Sequence, residues 1–125
     1  MDLTDIKTIK ALLARHGFHF SKSMGQNFLI ADWVPRDIAE AAGLDEGCGV
    51  LEIGPGIGPL TVQLAQRAGR VAAIELDRAL LPILAETLAG YPNAQVIPGA
   101  VMKLDLAALA AEQFPGMAVK ACATL

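Results

Sequence analysis

The segment VLEIGPGIGPL, residues 50–60, runs from an apolar stretch through three glycines and two prolines into residues with helical spacing. Glycine at 54, 56 and 58 permits left-handed backbone angles and removes side chains where a ligand must approach the main chain. The free N–H groups of the helix that follows face the same space. A strand, a glycine turn and a helix in this order form the opening unit of a nucleotide-binding fold.

Outward from this segment, the pattern repeats. Gly49 to Ile53 reads as a short apolar strand, 58–68 as a helix, VAAIEL (71–76) as a strand and 78–89 as a helix. A strand at 95–98 follows the turn Tyr91-Pro92-Asn93, then come a helix at 105–113 and a strand at 118–124. Short apolar strands alternating with longer helices mean βαβ units, right-handed crossovers and a parallel sheet, so the fold class is doubly wound α/β. With strand order 3-2-1-4, the fourth strand lies beside the first at the point where such sheets bind ligands. Upstream, TDIKTIKALLARH (4–16) sets Ile6, Ile9, Leu12 and Leu13 on one helical face, with Thr4 as cap and Gly17 as stop. A second helix at 32–42 has Asp32 as cap and Gly43 as stop, and FHFSKSMGQNFLI between the two reads as an ordered loop.

The chain has 125 residues, enough for one domain, and its 54% apolar content can supply a core. No apolar run approaches the roughly 20 residues needed to cross a bilayer, and MDLTDIKTIK is not a signal peptide, so the expected location is the cytoplasm and no membrane partner is expected. Cys48 and Cys122 lack a C-x-x-C partner and are expected as buried, reduced thiols; no metal site is expected. The net charge of −3 argues against bulk attraction to nucleic acid. Residues 1–36 nevertheless carry Lys7, Lys10, Arg15, Lys22 and Arg36 against only Asp2, Asp5 and Asp32, a charge pattern that suits either a basic arm or an ordinary solvated helix face.

Twenty-one residues after Gly54, Glu75 ends the second strand, where a carboxylate can accept both hydroxyl hydrogens of a ribose. Two nucleotide ligands compete for the loop. A dinucleotide fingerprint needs G-x-G-x-x-G, but here the third position is Pro59 and the pattern is G-x-G-x-G. With Glu52 ahead of it the stretch reads E-x-G-x-G-x-G, the form used by S-adenosylmethionine-dependent methyltransferases; Glu52 can also serve as a strand-end carboxylate that caps nearby N–H groups.

KSMGQNFLI (22–30), LEIGPGIGPLT (51–61) and AIELDRAL (73–80) together closely resemble the ribosomal RNA adenine dimethyltransferases, from about residue 4 to the end of the chain. Gly25 resembles the housekeeping branch, which acts on small-subunit rRNA, more than the resistance enzymes. The resemblance implies a Rossmann-like S-adenosylmethionine-dependent methyltransferase fold, truncated after about four parallel strands. Residues 1–48 would be N-terminal helices and loop and 49–125 the βα units, with the C-terminal helical RNA-binding domain absent. It implies S-adenosylmethionine as cofactor, held by Asn27, Leu29, Gly54 and Glu75. Asp77 is expected to cap the helix starting near 78, and Arg78 to lie on the surface.

Two positions depart from the family. Ala100 stands where the family has an Asp that hydrogen-bonds the cofactor's adenine amine, and Asp105 is too far along to replace it. Thr124 stands where the family has the Asn of N-L-P-Y/F, whose amide, proline carbonyl and aromatic ring hold the target adenine. Adenine N6 is a poor nucleophile that must be oriented toward the methyl and relieved of developing charge, so no catalytic residue is assigned; Phe18, Phe20 and Phe28 are expected mainly in the core, and His16 and His19 on the surface or as caps. The expectation is thus an rRNA adenine N6,N6-dimethyltransferase by resemblance, with 16S rRNA or the 30S subunit as partner, whose isolated chain binds cofactor at most weakly and transfers no methyl group. The alternative is a non-catalytic RNA- or protein-binding module that retains the cofactor fold, with an exposed edge strand open to a partner or to self-association.

Overall fold

The computed structural model describes residues 1–18 and 31–123. Strands β1 (Cys48–Ile53), β2 (Arg70–Glu75), β3 (Ala94–Pro98) and β4 (Ala118–Ala123) form one parallel sheet in the order β3-β2-β1-β4. This is the doubly wound arrangement expected from the alternating pattern. In register, Val50 pairs with Val71 on one side and Lys120 on the other, which makes β1 the inner strand beside both β2 and β4.

The α-helices of the described residues are α1 (Ile6–Arg15), α2 (Trp33–Ala41), α3 (Pro59–Ala65), α4 (Leu81–Thr87) and α5 (Leu106–Gln113). Successive strand residues point to opposite faces. Val50 and Val71 pack under Leu60 and Leu64 of α3, whereas Leu51, Ala72 and Ile74 pack with Phe114 and with Leu109 and Ala110 of α5. A Cβ at Gly49 would come 2.4 Å from the Phe114 ring, so that ring can lie on β1 only because residue 49 has no side chain. The apolar face of α1, Ile9, Leu12 and Leu13, joins Ile57 of the glycine loop and Ile83 of α4. This packing holds the loop from above.

Local chemistry shifts several element boundaries. The cap of α1 is Asp5 rather than Thr4: the Asp5 carboxylate accepts from the Thr8 N–H at 3.1 Å, while Thr4 turns back to Asp2. Asp32 occupies the cap position of α2 without a side-chain capping bond. The helix expected over 58–68 contracts to α3, with Pro59 in its first turn, where a missing N–H costs nothing. The helix expected over 78–89 splits into a 3-10 turn, Arg78–Leu80, and α4, because Pro82 has no N–H to continue an α-helix begun at 78. Asp77 caps that turn through the Ala79 N–H at 2.9 Å, and Asp105 caps α5 through the Ala108 N–H at 3.1 Å.

Cys48 is buried as expected, but Cys122 is only half-buried because β4 has no neighbour on its outer side among the described residues. Lys120 on β4 reaches back and donates to the carbonyls of Ala42 and Gly43 at the end of α2. Among the described residues no helix is long and apolar enough to cross a membrane, and no cluster of His, Cys, Asp and Glu could hold a metal ion. Phe18 packs against the α1 cluster. The loop read at FHFSKSMGQNFLI lies, from residue 19 on, outside the described residues, as does Thr124.

Candidate functional site

The carboxyl ends of β1, β2 and β3 open on one edge of the sheet. After β1 the chain turns through Gly54, Gly56 and Gly58, with φ of 68°, 61° and 102°, angles that residues with a Cβ rarely adopt. Two of these glycines do different work. A Cβ at Gly58 would sit 3.0 Å from the Thr87 hydroxyl, so Gly58 lets the loop close on α4; a Cβ at Gly54 would meet nothing, because Gly54 faces open space.

That space is a pocket of about 270 Å³ lined by Ile53, Gly54, Ile74, Glu75, Leu76, Gly99, Ala100, Val101 and Met102. Among the described residues Glu75 is the single ionisable side chain in the lining. Its two oxygens are held by separate donors: Oε1 accepts from the Gly56 N–H at 3.3 Å and Oε2 from the Asp77 N–H at 2.8 Å. Each carboxylate oxygen keeps a further lone pair, so the group can still accept from two vicinal hydroxyls. The glycine loop and the strand-end acid are therefore one hydrogen-bonded unit.

Glu52 has a different position from Glu75. It is completely buried behind the loop, where the Thr61 hydroxyl of α3 donates to Oε1 and Oε2 has no hydrogen-bond partner among the described residues. Instead of capping N–H groups, Glu52 ties the end of β1 to the first turns of α3 across the glycine loop. Burial pushes its carboxyl up to about 7; the Thr61 hydroxyl opposes this and the nearby Glu75 charge adds to it.

The structure thus brings Gly54, Glu75 and Ala100 together at one pocket. Asp105 caps α5 and does not line the pocket. Asn27, Leu29 and Thr124 lie outside the described residues. Sequence reasoning missed Leu76 and Met102, both exposed apolar side chains on the pocket's rim. The available signal was their position, just past the ends of β2 and β3.

A parallel sheet of this order, with a glycine turn after β1 and an acid closing β2, defines the Rossmann-like fold of S-adenosylmethionine-dependent methyltransferases. The N-terminal domain of EvdMO1, solved with S-adenosylhomocysteine bound, shares this fold at 23% identity and a TM-score of 0.60, over 86% of this chain and 51% of that one. The sequence narrows the class. The chain belongs to the ribosomal RNA adenine dimethylase family, whose profile matches residues 17–122. It is 49% identical over 119 residues to the ribosomal RNA small subunit methyltransferase A of Alkaliphilus oremlandii, covering 95% of this chain and 42% of that protein. It is also similar to a dimethyladenosine transferase from Plasmodium falciparum, at 30% identity and a TM-score of 0.59 over 74% of this chain and 31% of that one. The chain spans about two fifths of the length of the curated relative.

Proposed function

We propose that this chain supplies the donor-binding part of an rRNA adenine N6,N6-dimethyltransferase acting on 16S rRNA, with S-adenosylmethionine in the pocket at the ends of β1 to β3. The observation that carries this reading is the Glu75 carboxylate, fixed by the Gly56 and Asp77 N–H groups beside an open Gly54. The residues fit the ligand: a diol meets the carboxylate, a flat base meets Leu76 and Met102, and the absent Cβ at Gly54 leaves room beside the main chain. When bound, S-adenosylmethionine would supply a sulfonium methyl group open to nucleophilic attack. The chain's own contribution is to bind and orient. Glu75 sets the ribose, Glu52 and Thr61 hold the turn at its back, and Ile57 locks the loop into the α1 core.

Calorimetry with S-adenosylmethionine and with NAD tests this reading; binding of NAD alone would overturn it. Labelled S-adenosylmethionine with under-methylated 30S subunits then reads transfer into adenine. Glu75→Gln keeps the shape of the side chain but removes its charge. It is expected to weaken S-adenosylmethionine binding about tenfold, the cost of roughly 1.5 kcal/mol in charge-assisted hydrogen bonding. Unchanged affinity in that variant would show that the ribose does not rest on Glu75.

A further inference from the structure

The base end of the pocket is chemically unlike its ribose end. Among the described residues Gly99, Ala100, Val101 and Met102 form it, and their side chains offer no hydrogen-bonding group stronger than the weakly accepting Met102 thioether. Two of their backbone carbonyls each accept one bond within the turn, Ala100 from the Lys103 N–H at 2.9 Å and Val101 from the Leu104 N–H at 3.2 Å, so the side chains decide what the wall offers a ligand. The turn is anchored to β2 by the Gly99 N–H, which donates to the Glu75 carbonyl at 2.9 Å. Val101 and Leu104 pack into the α5 side of the core, which holds this backbone in place. On the rim, Met102 is 93% exposed and Leu76 69% exposed, so apolar surface continues outward from the pocket.

An exocyclic amine placed against this wall finds no carboxylate, amide or hydroxyl acceptor among the described side chains. Covering a polar hydrogen without a partner is unfavourable, whereas covering an alkyl group is favourable in proportion to the area removed from water. Ala100 projects only a methyl group, which leaves volume where a longer side chain would stand.

We propose that Ala100 makes this pocket indifferent to the exocyclic amine of its ligand, so that it admits adenine nucleosides carrying alkyl groups on N6. The inference rests on the donor-site reading above and specifies which donors and donor analogues the site takes. Ala100 is a specificity-determining position here: it withholds an acceptor and provides space.

The test is the affinity of the chain for S-adenosylhomocysteine and for its N6,N6-dimethyl derivative, measured by calorimetry. The two are expected to bind the natural chain within about threefold of each other, and Glu75→Gln weakens both alike, which locates them in this pocket. Ala100→Asp is expected to tighten the parent compound about tenfold while leaving the dimethyl form unimproved, because only the parent has N–H groups to donate. A natural chain that prefers the parent by more than tenfold overturns the inference and leaves the donor site standing. Failure of both compounds to bind a folded natural chain overturns the donor site and this inference with it. Circular dichroism of Ala100→Asp confirms that the variant is folded, and equal gains for both ligands in it would also count against the proposal.

Discussion

Glu52→Gln should stabilise the chain by on the order of 3 kcal/mol at pH 8 and leave its stability nearly unchanged at pH 4. Glu52 is fully buried, with one carboxylate oxygen unpaired among the described residues. Its carboxyl titrates near 4.5 when the chain is unfolded and about 7 when it is folded. Between those values the folded chain binds the extra proton, so unfolding becomes easier as pH rises. The stabilising state, protonated Glu52, is present below about 4.5 and lost as pH climbs through 7. At about 1.4 kcal/mol per pH unit this gap gives the stated magnitude. Glutamine resembles the protonated acid and can accept from the Thr61 hydroxyl, so it removes the dependence. Urea denaturation of both chains from pH 4 to pH 8 reads the difference. Comparing the two cancels groups with the opposite tendency, such as Glu86, whose carboxyl is held low by Arg15 and His16. A difference that stays flat with pH would show that Glu52 is not a buried acid.

Gly69→Ala is expected to cost about 3 kcal/mol or more and to lower the denaturation midpoint accordingly. The residue sits between α3 and β2, where its N–H donates to the Cys48 carbonyl at 3.0 Å. A Cβ there would lie 2.1 Å from the Glu46 carbonyl oxygen and 2.9 Å from the Met117 methyl carbon. The methionine can move, but the Glu46 carbonyl belongs to the turn that enters β1, so the backbone itself must shift; insertions of this kind reach or pass the upper end of the roughly 1–3 kcal/mol seen for overpacking. Gly90→Ala is the matched control, since a Cβ at Gly90 meets nothing within 4 Å. Denaturation midpoints that coincide for the two variants would refute the close approach.

The two buried glutamates show what sequence periodicity can carry. Glu75 was legible because it closes an apolar strand at a fixed distance from the glycine turn, and position alone determines which edge of a parallel sheet it reaches. Glu52 was legible as part of a motif, but its complete burial was not. That burial depends on α3 folding back so that Thr61 meets it, a contact created by the turn rather than by local preference. The same reason separates Cys48 from Cys122: both sit in apolar strands, but Cys48 lies on the inner strand β1 and Cys122 on β4, whose outer side has no strand among the described residues. Helix lengths were overstated where prolines decide them, since Pro82 delays α4 to Leu81 while the apolar spacing runs on from 78. Leu76 and Met102 escaped notice because exposed apolar residues carry no periodic signal; only the pocket between them gives them a role.

The placement of β4 has a consequence for the order in which a growing chain can fold. Cys48 pairs with Ala118 and Ile53 with Ala123, so the inner strand waits for the most distant of the described strands before both its edges are satisfied. Contacts between such remote segments form late, because the intervening chain must first be synthesised and its ends brought together. The described residues that line the pocket, by contrast, have all emerged once Met102 has, and the α5 segment against which Val101 and Leu104 pack follows directly. A nascent chain can therefore assemble this pocket on three strands and α5, with β1 still open along one edge, and a ligand bound there would stabilise the sheet before β4 arrives.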